Sequence, residues 1–187
     1  YLTGEGVAKD AGRAVGLFER AGDDAVAQFN LGVCFFRGQG VEEDTTRAVK
    51  LYEKAAKQGL MEAQCNLGVS YKNGSGVEKD LEEAARMYDR AAEQGCVEAQ
   101  LDLGDCYVHG RGVALDRAKA VAYFRAAAAN GLAEAQNKLG ACLGTGFGVE
   151  PDVEEAVRMY KLAAEQGHAE AQKNLGSYYA KGKGVEK

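Results

Sequence analysis

The sequence predicts an all-α protein, a right-handed α-solenoid of 36-residue helix-hairpin repeats. Three observations carry this. Gly-x-Gly-Val recurs from Gly4, Gly38, Gly74, Gly110, Gly146 and Gly182, spaced by 34 residues and then by 36 four times. Each interval holds two successive apolar stripes of helical period, such as Ala27, Leu31 and Phe35, then Ala48, Leu51 and Tyr52. No stretch alternates with the two-residue period of a strand. One hairpin of this size cannot bury its apolar face, but stacked hairpins can.

The elements follow in order along a single repeat array, 1–187. A partial, irregular unit, 1–23, precedes complete units 24–59, 60–95, 96–131 and 132–167, and a partial unit, 168–187, closes it. The first unit is two residues short between Arg20 and Gln28, and Gly12 and Gly16 weaken its helix, so irregularity is expected there. In each later unit a first helix (A) is predicted over 25–37, 61–73, 97–109, 133–145 and 169–181. A second helix (B) is predicted over 44–58, 80–94, 116–130 and 152–166. Asp44, Asp80, Asp116 and Asp152 are candidate N-caps of the B helices. Glu83 and Glu155 stand three residues on, as a capping box requires, and Pro151 lies just outside its helix.

Glycine numbers 25 and proline one, where average usage predicts about 13 and about 9. The repeat explains the surplus. Each Gly-x-Gly ends an A helix with a left-handed turn, and Gly59, Gly95, Gly131 and Gly167 end the B helices. Gly32, Gly68, Gly104, Gly140 and Gly176 lie inside A helices, where a close backbone approach from helix B is the expected reason.

The units read A-x-x-x-L-G-x-x-Y, then G-x-G-V, then D-x-x-x-A-x-x-x-Y-x-x-A-A-x-x-G. This pattern resembles the SEL-one-like repeat family of the tetratricopeptide-like superfamily over nearly the whole chain. The resemblance implies antiparallel hairpins, a concave surface lined by A helices, adaptor or scaffold roles and no catalytic residues.

Several chemistries are weighed and set aside. A nucleotide-binding glycine loop follows a strand, whereas a helix precedes every complete Gly-x-Gly here. Cys34, Cys65, Cys96, Cys106 and Cys142 are odd in number. Those in equivalent positions should lie on the order of 10 Å apart, too far for a disulfide, so reduced buried thiols are expected. Cys106 and His109 are half a metal site by spacing, with only His168 as a further histidine, so no metal or cofactor is predicted. Asn73-Gly74-Ser75 is a glycosylation sequon that the repeat's own turn explains. No acid–base pair recurs within a unit, so the chain is read as not an enzyme.

Net charge is −5 with both signs mixed along the chain, which excludes a basic nucleic-acid-binding face. No apolar run nears the ~18 residues that would suggest a membrane span. The opening Tyr1-Leu2-Thr3 shows no leader, and with unpaired cysteines this favours the cytoplasm, although the chain reads as an excised segment.

The variable A-helix positions carry the functional reading. Phe29, Val33, Phe36, Val69, Leu101 and Val108 form a candidate partner-binding groove, apolar in its N-terminal half. The alternative for Phe29, Val33 and Phe36 is an interface with a preceding unit. Glu62, Glu98, Glu134 and Glu170 recur in the first turn of successive A helices. They either complement the helix dipole or select a basic partner. The expected function is a non-enzymatic protein-interaction scaffold binding a peptide or protein. The alternatives are an array segment that stacks end to end, and an envelope- or glycan-associated regulator.

Overall fold

The computed structural model describes residues 10–183, so Gly4, Gly6, Val7, Gly184 and Val185 of the terminal turns lie outside the described residues. The described chain is an all-α solenoid of helix hairpins, with ten helices and no strand. It divides into two compact units at Cys96/Val97. Unit 1 holds α1 (Ala11–Ala21), α2 (Ala25–Arg37), α3 (Thr45–Lys57), α4 (Met61–Asn73) and α5 (Leu81–Glu93). Unit 2 holds α6 (Val97–His109), α7 (Arg117–Ala129), α8 (Ala133–Thr145), α9 (Val153–Glu165) and α10 (Ala169–Ala180). Even-numbered helices are the A helices and odd-numbered ones the B helices.

The A helices α2, α4, α6 and α8 match the predicted ranges to the residue, and α10 ends one residue early. Each B helix is one residue shorter at both ends than predicted, because the aspartate before it is a true N-cap in extended conformation. The carboxylates of Asp44, Asp80, Asp116 and Asp152 accept the N3 amides at 2.8–3.0 Å. The reciprocal half of the capping box does not form. The backbone N–H groups of Asp80 and Asp152 already donate to the Tyr71 and Leu143 carbonyls at 3.0 Å. Asp44 and Asp116 make the same bond to Phe35 and Tyr107, so this contact pins each B helix to the end of its A helix. Glu83 and Glu155 are thereby released to pair with arginines, Glu83 with Arg86 and Glu155 with Arg125 and Arg158.

Each hairpin closes on one aromatic ring. Tyr52, Tyr88, Phe124 and Tyr160 are buried and lie directly over Gly32, Gly68, Gly104 and Gly140. A Cβ at Gly104 would stand 2.5 Å from the Phe124 ring, and one at Gly140 2.9 Å from Tyr160. The mid-helix glycines therefore make room mainly for a ring, not for a backbone as expected: Ala at the inter-helix contacts brings the helices near enough for the ring to fill the gap. Gly176 has nothing within 4 Å of the corresponding point.

A polar ladder crosses the base of the hairpins. Gln28, Gln64 and Gln136 are buried, and their side-chain carbonyls accept from Gln58, Gln94 and Gln166 at 3.0, 2.7 and 2.9 Å. Gln64 and Gln136 in turn donate to the Ala56 and Ala128 carbonyls of the preceding B helix. Such buried amides stay inside only because both ends are bonded. The irregular first unit is also resolved. α1 runs unbroken through Gly12 and Gly16, and the two missing residues are taken from its C-terminal end, so it has 11 residues where α3 has 13.

Candidate functional site

The candidate groove residues divide between the two units. In unit 1, Phe29 and Phe36 flank the Tyr52 ring, with centroids 5.7 and 6.4 Å away. Val33, Phe36 and Val69 line a cleft of about 140 Å³ between α2 and α4, with Tyr52, Asn66 and Ser70. All four predicted residues are half-buried, and the two phenylalanines spend much of their surface on the hairpin core.

In unit 2, Leu101 and Val108 are half-buried against the core of α7–α10. Val108 forms one wall of a cleft between α6 and α8 of about 310 Å³. Its floor is Phe124 and Cys142, and Ala141 and Phe147 complete the apolar walls. Asp105, Lys138 and His109 supply the polar edge. Leu101 is not part of that lining.

Lys138 organises the charge at this edge. Its Nζ stands 3.2 Å from Asp105 Oδ1 and 3.4 Å from Glu134 Oε1, and 5.9 Å from the centroid of the Phe124 ring. Burial works against its charge, but Asp105 and then Glu134 outweigh burial and raise its pKa. Glu134 is held below the usual carboxylate range, first by a hydrogen bond with His168 at 2.9 Å and then by Lys138. His168 Nδ1 accepts the Ala171 amide as the N-cap of α10, so its Nε2–H is the donor to Glu134. The four glutamates of the predicted ladder do sit in the first turns of α4, α6, α8 and α10. They are not equivalent, because Glu134 is tied to His168 and Lys138 while Glu62 and Glu170 are exposed.

The next cleft along unit 2 is narrowed from inside to about 110 Å³, lined by Gly144, Val153, Tyr178, Lys181 and Lys183. A Cβ at Gly144 would collide with the Tyr178 hydroxyl, and the Tyr178 ring packs 5.5 Å from Tyr160. Burial, with Tyr178 beside it, pushes the Tyr160 hydroxyl up to about 12, so that phenol stays neutral.

Sequence reasoning passed over Lys138 and Phe147, read Phe124 only as the repeated aromatic of helix B, and selected neither Asp105 nor Ala141 from the groove positions. The repeat itself was the available signal. Moving two units on from Tyr52, Asn66 and Val33 lands on Phe124, Lys138 and Asp105. Four of the five cysteines are buried, and Cys34 and Cys142 among them are free thiols. Burial raises the thiols of Cys34 and Cys142, which makes them poor nucleophiles. Among the described residues no group of three or more His, Cys, Asp and Glu side chains could hold a metal ion. No described helix is long and apolar enough to cross a membrane.

Comparison with known proteins places this geometry. A Sel1 repeat protein from Oxalobacter formigenes is 42% identical over 97% of this chain and 75% of its own, with a TM-score of 0.88. A protective antigen of uropathogenic Escherichia coli strains, displaying an SLR fold, is 36% identical with a TM-score of 0.94. The match covers all of this chain but 40% of that protein, so this chain spans well under half of its length. An immunity protein from Pseudomonas aeruginosa is 26% identical over 87% of this chain and 61% of its own, with a TM-score of 0.55. A comparison with curated proteins gave no match. The Sel1 repeat itself matches six successive stretches, 1–24, 25–60, 62–96, 97–132, 133–168 and 169–187, and the chain belongs to the Sel1 repeat family.

Proposed function

We propose that this chain is a non-enzymatic scaffold that holds a peptide segment of a protein partner on its A-helix surface. Sel1 repeats often serve as protein–protein interaction scaffolds. The observation that carries the reading here is the α6–α8 cleft, an open, largely apolar hollow of about 310 Å³ on that surface. Ligand pockets begin at about 300 Å³, so the cleft suits a single anchoring side chain. Leu101 supplies a further half-buried apolar contact in unit 2, and Phe29, Val33, Phe36 and Val69 are half-buried apolar candidates of unit 1 by itself. Glu62, Glu98, Glu134 and Glu170 bias the surface toward basic or neutral partners. A scaffold role also suits the histidines. His168, one of two in the chain, commits both ring nitrogens to structural bonds.

Panning a random-peptide phage library on the purified chain tests this. Selected peptides should shift backbone amide signals on α2, α4, α6 or α8 in NMR titrations. A footprint confined to the B helices would overturn the reading.

A further inference from the structure

Resting on that groove reading, we propose that the α6–α8 cleft selects a bulky apolar side chain with a lysine or arginine next to it. The partner peptide thus carries an apolar–basic pair. Two features of the cleft argue for this. The first is its shape and lining. Phe124 and Cys142 form a buried floor, and Val108, Ala141 and Phe147 form apolar walls, so an aromatic or long aliphatic side chain gains area there without stranding a polar group.

The second is a partly paired carboxylate at the mouth. One ammonium, Lys138, is shared between two carboxylates, Asp105 at 3.2 Å and Glu134 at 3.4 Å. His168 meets Glu134 through Nε2 at 2.9 Å while its Nδ1 accepts the Ala171 amide, so its ring is turned to Glu134 and not to Asp105. Sharing Lys138 with Glu134 leaves Asp105 only partly paired. An incoming cation completes the pairing with Asp105, whereas an incoming anion meets a lysine already engaged twice. The side chains of Asp105 and Lys138 are about one-third exposed (33% and 30%), so the carboxylate is reachable yet partly shielded from bulk water. The unit 1 cleft lacks this selectivity, since Val33 and Asn66 stand where Asp105 and Lys138 do.

The test uses capped glycine hexapeptides bearing a central Trp-Lys, Trp-Glu or Ala-Lys pair, titrated into the whole chain by NMR and by tryptophan fluorescence where tryptophan is present. Trp-Lys should bind about tenfold more tightly than either control, and its shifts should centre on Val108, Ala141 and Thr145. Ala141→Trp, which fills the hollow, should abolish that binding. Val108→Phe is a second plug should the first variant lose helicity. Asp105→Asn should bring Trp-Lys to within about twofold of Trp-Glu. Lys138→Met should strengthen Trp-Lys about threefold, because it removes a competing cation, an outcome that a merely structural role for Lys138 would not produce. Equal or tighter binding of Trp-Glu, weaker binding of Trp-Lys by Lys138→Met, or full binding by both plugged variants overturns the proposal. Shifts around Val33 and Phe36 instead overturn this selectivity and leave the groove reading standing. Shifts only on B helices overturn both.

Discussion

The α2–α4 cleft of unit 1 and the α6–α8 cleft of unit 2 are built from equivalent repeat positions, yet they measure about 140 and 310 Å³. Phe36 in the first becomes Val108 in the second, and Val69 becomes Ala141. Each change removes volume from the wall while the aromatic floor, Tyr52 or Phe124, stays buried. The backbone repeats, so the binding capacity of each hairpin is decided by the few side chains that stand over that ring. The same repeat also gives the opposite result. Tyr178 occupies a position filled by Cys or Ser in the preceding A helices, and it narrows the neighbouring hollow over Gly144 to about 110 Å³.

The strongest way to break the comparison is to remove the floor of the open cleft. Gly104→Ala would place a methyl 2.5 Å from the Phe124 ring, and overpacking of this kind costs about 1–3 kcal/mol. Gly176→Ala meets nothing within 4 Å and should gain up to about 1 kcal/mol from helix propensity. Urea unfolding of the two variants should therefore move in opposite directions. Movement in the same direction would refute the account of rings resting on glycines.

An exchange of walls comes next. Phe36→Val should cost about 1–2 kcal/mol, because Phe36 packs on Tyr52, and should open the unit 1 cleft. Methyl NMR of Val33 and Val69 would report the change. A smaller effect concerns the arginine tie of unit 2, where Arg125 reaches Glu155 at 2.6 Å. Its counterparts in unit 1 are Glu53 and Glu83, two like charges that both raise the Tyr71 hydroxyl after burial has done so. Glu53→Arg should stabilise unit 1 by about 0.2–1 kcal/mol, measured in thermal melts, and the gain should shrink at high salt.

The smallest effect is in the acid limb. The pKa of Glu134 is lowered by His168, so its stabilisation is fully present above the usual carboxylate range and is lost as pH falls through the lowered value. Melts of wild type and Glu134→Gln should differ at neutral pH and converge in acid. A gap that persists at low pH would show that Glu134 acts through packing instead.

The helices were legible because their signals are local. The spacing of Ala27, Leu31 and Phe35 and the aspartates before the B helices needed no knowledge of neighbours. The capping box misled because Glu83 and Glu155 have the right spacing, while the amide they would cap is taken by a carbonyl from the other helix of the hairpin. The groove was legible as a set of positions. Its occupancy was not, because a half-buried Phe29 or Phe36 looks the same in sequence whether it faces a partner or rests on Tyr52.

By itself the sequence determined the repeat length, the helix bounds to within a residue and the turn glycines, since these rest on period and local backbone preference, and its repeated motif carried the resemblance to the Sel1 repeat family. Tertiary structure alone decided why Gly104 must be glycine, that Lys138 joins Asp105 to Glu134, and that the cleft beside Val108 is wide while its neighbour is narrowed by Tyr178. These depend on side chains up to 34 residues apart in sequence coming together, and the volume left over is set by their sizes and directions together.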